Sequence, residues 1–211
     1  MRVMTTYKVG VIADTHVPEF LAELPASVAQ VFAGVDLIVH TGDITGLEVL
    51  EQLGKLAPVK AVKGDHDKLD LPLQLVIEIG GVRIGAWHGR RPRWQEFPSL
   101  LFNTFSSRYH SWGGFQRQAV RRFRLVDVIV FGHFHRSYIG WQQDVLLFNP
   151  GAVYHPTHEN IQSRLVITRY PWQRLYLRRA LLRPAGVPTV GILTIEDGKV
   201  HAEVVPLPTV L

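Results

Sequence analysis

Seven side chains that bind cations stand directly after apolar runs of this sequence. Asp14 and His16 follow Val9-Gly10-Val11-Ile12, and Asp43 follows Leu37-Ile38-Val39. Asp65 follows Val59-Lys60-Ala61-Val62, and His88 follows Ile84-Gly85-Ala86-Trp87. His133 and His135 follow Val128-Ile129-Val130-Phe131. The chain has no cysteine, so no thiolate competes and no disulfide forms. Mixed imidazole and carboxylate donors suit Mn2+, Fe, Zn2+ or Ni2+, whereas Ca2+ prefers oxygen alone. Seven donors exceed what a single ion with an open position takes, and they suit two ions that share a carboxylate. Two such ions, about 3.5–4 Å apart, generate hydroxide at neutral pH and clamp an in-line displacement at phosphorus.

The elements that must position these groups are strands ending in loops, the usual place for a site in an α/β protein. Residues 7–13 read as a buried strand, Leu24 to Gly34 as a helix, and Val35 to His40 as a second strand. Gly46 to Leu56 has helical apolar spacing through Leu47, Val49, Leu50 and Leu53, and Pro58 to Lys63 is a third strand. That order predicts a parallel sheet with right-handed crossovers. Leu73 to Ile79 and Val82 to Trp87 predict a hairpin about Gly80-Gly81, and Thr189 to Ile195 with Val200 to Val205 another. Leu125 to Phe131, Ser137 to Trp141 and Val145 to Phe148 are further strands, and the adjacent hairpins of the second half, the C-terminal one included, suggest a second, mixed or antiparallel sheet. Gln116 to Arg124 ends a helix, while Ile161 to Leu182 fits helix or strand. In Asp14-Thr15-His16 and His133-Phe134-His135, residues two apart share a direction if the backbone stays extended. Gly42, Gly64, Gly89 and Gly132 let the backbone come close to an ion or a phosphate.

With 211 residues, 46% of them hydrophobic, the chain suits one domain with a full core. No apolar run reaches the roughly 18 residues that span a bilayer. Met1 to Tyr7 has no secretory apolar stretch, so a cytoplasmic protein without a membrane partner is expected. The net charge of +5 is segregated. Residues 1–82 balance to −5, residues 83–183 to +12 with 16 arginines and no lysine, and residues 184–211 to −2. A basic middle predicts an anionic partner, most simply a phosphate-bearing one, because the guanidinium fork fits phosphate.

In chain order, Asp14-x-His16, Gly42-Asp43, Gly64-Asp65-His66-Asp67, His88-Gly89 and Gly132-His133-x-His135 resemble the calcineurin-like metallophosphoesterase family. Asp43-Ile44-Thr45-Gly46 and Asn149-Pro150-Gly151-Ala152 are similar to its small YfcE-like phosphodiesterase branch. The likeness covers residues 7–153 and the C-terminal hairpin. It implies an α/β (α+β) fold, a four-layer αββα sandwich of two mixed sheets flanked by helices. It also implies one domain over residues 1–211, with insertions at about 90–124 and 157–188. These insertions, rich in arginine and aromatics, are expected to form a cap over the site or an oligomer interface, and a homo-oligomer is expected.

The same resemblance implies the roles. Asp14, His16, Asp43 and His135 hold a first ion, Asp43 bridges, and Asp65, His88 and His133 complete the second. Mn2+ heads the metals. His66 contacts the phosphate and protonates the leaving oxygen, and Asp67 orients a neighbouring imidazole. The substrate is a small phosphodiester or nucleotide-like ester, with monoesters as the lesser choice. Two residues depart from the family. Asp65 stands where asparagine is usual and adds a negative charge. Arg90 stands where the branch often has histidine, and is expected to offer the phosphate a fixed charge that offsets Asp65. His40 is expected to be a packed histidine. A metal-binding scaffold of the same fold, or a nucleic-acid binder using the arginine-rich segment, are the alternative readings.

Overall fold

The computed structural model describes residues 5–92, 94–97 and 114–208. Much of the insertion expected at about 90–124, residues 93 and 98–113, lies outside these. The chain divides into two compact units. One comprises residues 1–90, 116–154 and 188–211, and the other residues 91–115 and 155–187.

The first unit holds two five-stranded mixed sheets. In one, β1 (Thr6–Ile12) lies at the centre, parallel to β2 (Leu37–His40), which is parallel to β3 (Val59–Ala61). On its other side β1 pairs antiparallel with β9 (Thr189–Glu196), and β9 with the edge strand β10 (Lys199–Pro206). In the second sheet, β6 (Val128–Val130) lies between β5 (Val82–Trp87) and β8 (Val145–Pro150), parallel to both. β4 (Gln74–Ile79) and β7 (Ser137–Gln142) close its edges antiparallel.

Burial follows position. β2 and β6 are buried at every residue, whereas the edge strands β4 and β7 alternate or face solvent. One core cluster joins Val9, Val11, Leu37 and Val39 of the first sheet to Ile84, Ala86, Val130 and Phe148 of the second, so the sheets face each other. A second cluster packs Val28, Phe32, Val49 and Leu53 against Ile12 and Ile38 on the first sheet's outer face. Those residues belong to or follow α1 (Ala26–Val31) and α2 (Leu47–Gly54). Beneath the second sheet's outer face lies the Phe123 ring, just after α3 (Phe115–Arg122), against Gly85. The two mixed sheets and flanking helices are the α/β architecture expected.

α1 is shorter than the expected Leu24–Gly34. Pro25 occupies the cap position with an extended backbone, and the chain leaves the helix at Phe32 for a turn closed by Gly34 at φ +76°. The ambiguous segment 161–182 is helical in the second unit, as α4 (His158–Ile167) and α5 (Pro171–Ala180). Thr157 and Asn160 form a capping box that starts α4, and Pro171 opens α5 with the φ a helix needs. Arg174 donates to the Leu165 and Thr168 carbonyls at 3.1 Å each, satisfying the end of α4. No helix among the described residues is long and apolar enough to cross a membrane.

Candidate metal centre

Every one of the seven predicted donors lies in a loop after a strand of the first unit. The parallel strands β1, β2, β3, β5 and β6 all end at this edge, which is why residues remote in the chain converge. Among the described residues, three sets drawn from these seven donors have atoms within 4.8 Å of one another: Asp14, His16 and His135; Asp65, His88 and His133; and Asp14, Asp43 and His88; a fourth set joins His16 to Glu19 and His66. Asp43 stands between the first two sets. Its Oδ2 lies 3.6 Å from His16 Nε2 and 3.3 Å from His88 Nε2. His135 Nε2 lies 3.7 Å from Asp14 Oδ1, and His133 Nδ1 lies 3.5 Å from Asp65 Oδ2.

These separations exceed a good hydrogen bond, which is nearer 2.9 Å. They match the edge of a tetrahedron whose corners stand about 2.0–2.2 Å from a central cation, roughly 3.3–3.6 Å. The buried Nε2 of His88 has no hydrogen-bond partner, although Asp43 is beside it. Two of the four imidazoles are also held as ligands usually are. His88 Nδ1 lies 2.9 Å from the Thr41 carbonyl, and His135 Nδ1 lies 3.0 Å from the Tyr154 carbonyl. Each Nδ1–H donates to its carbonyl, so in the neutral imidazole each Nε2 presents a lone pair on the side of the carboxylates. The residues present therefore fit divalent cations.

The backbone does not position the donors as the sequence predicts. Asp14, His16, Asp43, Thr45, His133 and His135 all have φ between +50° and +72°. The donor loops are thus not extended; residues two apart adopt left-handed conformations instead. Such a conformation costs a non-glycine residue about 1–2 kcal/mol. Main-chain hydrogen bonds offset this. Asp14 N–H donates to the Gly42 carbonyl and His16 N–H to that of Asp43, each at 3.0 Å, so the first two loops zip together. His133 N–H donates to Asp14 Oδ2 at 3.0 Å. Asn149 Nδ2 donates to the Gly132 carbonyl at 2.9 Å and fixes the loop after β6.

Asp67 differs from its expected role. Its carboxylate faces main chain, not an imidazole. Oδ1 accepts the N–H groups of Ile44 and Thr45, both at 2.8 Å, and Oδ2 accepts those of Asp43 at 3.0 Å and Gly64 at 2.7 Å. One buried carboxylate thereby binds the loop carrying Asp43 to the loop carrying Asp65. Gly64 makes that approach feasible, since a Cβ there would strike the Asp43 backbone nitrogen and carboxylate. His40 is packed as expected. Its Nδ1 accepts the Gly42 N–H at 3.2 Å, and its Nε2 meets Thr15 Oγ1 at 3.1 Å.

His66 is partly exposed, with its ring 4.8 Å from that of His16. Its Nδ1 lies 2.9 Å from Glu19 Oε2, leaving Nε2 for a ligand. Glu19 was not singled out by the sequence; its signal is only its place three residues after His16, whose Nδ1 is 3.8 Å away. Arg90 reaches Asp65 at 2.8 Å, so the two departures from the family pattern are direct neighbours.

Burial shapes the protonation of the metal-free cluster. It pushes the Asp14 carboxyl up to about 8, with His88 pulling the other way and Asp43 adding to the rise. Burial also opposes charge on His88, but Asp43 and Asp14 outweigh it and raise the imidazole to about 9. For Asp43, burial is overcome by His88, the His66 N–H and His16, which hold it well below the usual carboxylate range. Burial lowers His16, and lowers His40 to about 4. Protons thus fill the cluster where cations would otherwise balance three carboxylates.

The calcineurin-like phosphoesterase superfamily domain matches residues 7–169. A Methanocaldococcus jannaschii protein named as a probable metallophosphoesterase is 38% identical over 149 residues, 70% of this chain and 68% of that one. Among solved structures, vacuolar protein sorting 29 of Cryptosporidium parvum aligns with a TM-score of 0.63 at 21% identity, covering 97% of this chain and 99% of that one. Vps29 of Entamoeba histolytica, in complex with zinc, aligns at 0.60 and 24%, covering 95% and 99%. At these identities the two structures speak for the fold alone. The matched segment contains all seven donors on their five loops, and the chain belongs to the calcineurin-like phosphoesterase superfamily.

Proposed function

We propose that the chain hydrolyses phosphate esters at two divalent cations, with phosphodiesters as the first class of substrate and Mn2+ as the first metal. The observation that carries this reading is the set of carboxylate–imidazole separations of 3.3 to 3.7 Å. Asp14, His16, Asp43 and His135 would hold one cation and Asp65, His88 and His133 the other, with Asp43 between them. When bound, such a pair lowers the pKa of water and neutralises charge on the phosphoryl oxygens.

The chain's own groups supply the rest. His66, anchored by Glu19 through Nδ1, turns Nε2 toward the bound ester and donates a proton to the departing oxygen. Three carboxylates against two divalent cations leave one positive charge for the substrate, one fewer than an asparagine at position 65 would leave. Arg90, 2.8 Å from Asp65, restores that charge at the edge where the phosphate enters. Asp67 does not touch substrate in this scheme; it keeps Asp43 and Asp65 in place.

The test is purified protein loaded in turn with Mn2+, Fe2+, Zn2+ and Ni2+, assayed on bis-p-nitrophenyl phosphate and p-nitrophenyl phosphate. Turnover with at least one metal, lost together with metal content in Asp43→Asn, is the expected result. A folded protein that turns over neither ester with any metal overturns the reading and leaves a scaffold.

A further inference from the structure

Next to the second donor set the first unit contains a cavity of about 390 Å³, bordered by Asp65 and His88. That volume lies within the roughly 300–1,000 Å³ of small-molecule sites. Its wall carries three cations from three separate elements: Lys63 after β3, Arg90 after β5, and Arg122 at the end of α3. Trp87 and Leu73 give it an apolar surface. The Arg122 guanidinium lies 4.7 Å from the centre of a Trp87 ring, a cation–π stack that orients the planar fork.

The three cations of this wall outnumber its two carboxylates, Asp65 and Asp67. Asp65 is engaged by Arg90, and Asp67 is occupied by four backbone N–H groups. Among the described residues, neither Lys63 nor Arg122 has a carboxylate within 4 Å. An ester whose phosphorus sits at Asp65 and His88 has one substituent directed into this space. That substituent meets two cations that have no carboxylate in direct contact, and an indole, a combination that favours a phosphate on a small organic frame.

We propose that this cavity is a subsite for a second phosphate of the substrate, so that the ester hydrolysed is itself phosphorylated, as in a nucleotide bearing a terminal phosphate. The proposal rests on the phosphoesterase reading for its catalytic half only; the binding half stands on the cavity. It assigns Lys63 and Arg122 to substrate recognition, which no motif of the sequence marks.

Two measurements test it. The first compares dithymidine monophosphate with the same dinucleotide phosphorylated at its 5′ or its 3′ end, followed by chromatography of the products. The expected result is a higher kcat/KM for one phosphorylated form. In Arg122→Gln and Lys63→Gln its advantage over the unphosphorylated dinucleotide falls about ten-fold, the loss of one charge-assisted hydrogen bond. Arg122→Lys, which keeps charge but loses the stacked fork, falls between. Measurable cleavage at equal rates on all three dinucleotides, or an unchanged ratio in both variants, overturns the proposal.

The second measures calorimetric binding of thymidine 3′,5′-bisphosphate and of thymidine, with and without Mn2+. The bisphosphate should bind, thymidine should bind at least about ten-fold more weakly, and Arg122→Gln should remove most of the difference. If no dinucleotide is cleaved but the bisphosphate binds in this manner, the phosphoesterase reading fails and the anion subsite stands. If wild-type protein does not bind the bisphosphate, the subsite fails whatever the enzyme does. Circular dichroism of each variant separates these outcomes from misfolding.

Discussion

Replacing Asp67 by asparagine tests how the two central loops are joined. The carboxylate has two oxygens, and each accepts two backbone N–H groups at 2.7 to 3.0 Å. An amide keeps one of those oxygens and puts an NH2 where the other stood. Two N–H groups then lose their acceptor and face a donor. Leaving a buried donor unsatisfied costs about 1–3 kcal/mol, so Asp67→Asn should lose roughly 2–6 kcal/mol. For a chain of this size each kcal/mol lowers Tm by about 2–4 °C, so even the lower bound shifts the melt by several degrees. The loops affected carry Asp43 and Asp65, so binding of both cations should weaken in parallel. Differential scanning calorimetry of the metal-free protein, with metal content after dialysis, reads both effects. A variant that melts within about 1 °C of wild type and retains its metals would refute the view that one carboxylate splices these loops.

Other outcomes follow from the cluster. With Asp14 raised to about 8 and His88 to about 9, both carry a proton at neutral pH in the metal-free protein. Cations need both groups deprotonated, so Mn2+ uptake near pH 7 should release close to two protons and tighten by up to about 100-fold per pH unit below pH 8. Titration calorimetry in two buffers of different ionisation enthalpy measures this, and uptake without proton release contradicts it. By the same linkage these two raised groups stabilise the metal-free fold at low pH, and that contribution is lost progressively from pH 3.8 to about 8 for Asp14 and from pH 6.5 to about 9 for His88. Thermal melts should therefore show the metal's stabilising effect widening from pH 6.5 to 9. Glu19→Gln should lower kcat about ten-fold or more on a phosphodiester with an alkyl leaving group, and less on bis-p-nitrophenyl phosphate, whose leaving group needs no proton. Equal losses on the two esters would remove His66 as proton donor.

The donors were readable because each is a polar residue at the end of an apolar run, and because five such endings recur in one chain. The parallel run β1-β2-β3 was readable for the same reason, but the C-terminal hairpin, expected in the second sheet, instead extends the first, where β9 pairs antiparallel with β1. What the sequence hid depends on tertiary geometry. Left-handed backbone at Asp14, His16, His133 and His135 carries no glycine to announce it. Asp67 has the residue type and place of a group that orients an imidazole, and only the fold shows its oxygens turned to four amides. Glu19 and Arg122 sit in segments without motifs. They enter the site because the turn after β1 and the end of α3 bring them there. The helices at 158–180 were ambiguous because apolar residues fall on several sides of them. Local devices, a capping box at Thr157 and Pro171 at the start of α5, decided the matter.

The left-handed turns have a consequence for how this protein can change. Where the donors stand is set by amide-to-carbonyl ties and by a carboxylate that no cation needs to touch. What the donors are is set separately, by side chains hung on that frame. A swap such as asparagine for aspartate at position 65 alters the charge and the preferred ion without moving the mounting. Metal identity, and even the loss of turnover, are thereby open to single substitutions that leave the architecture intact.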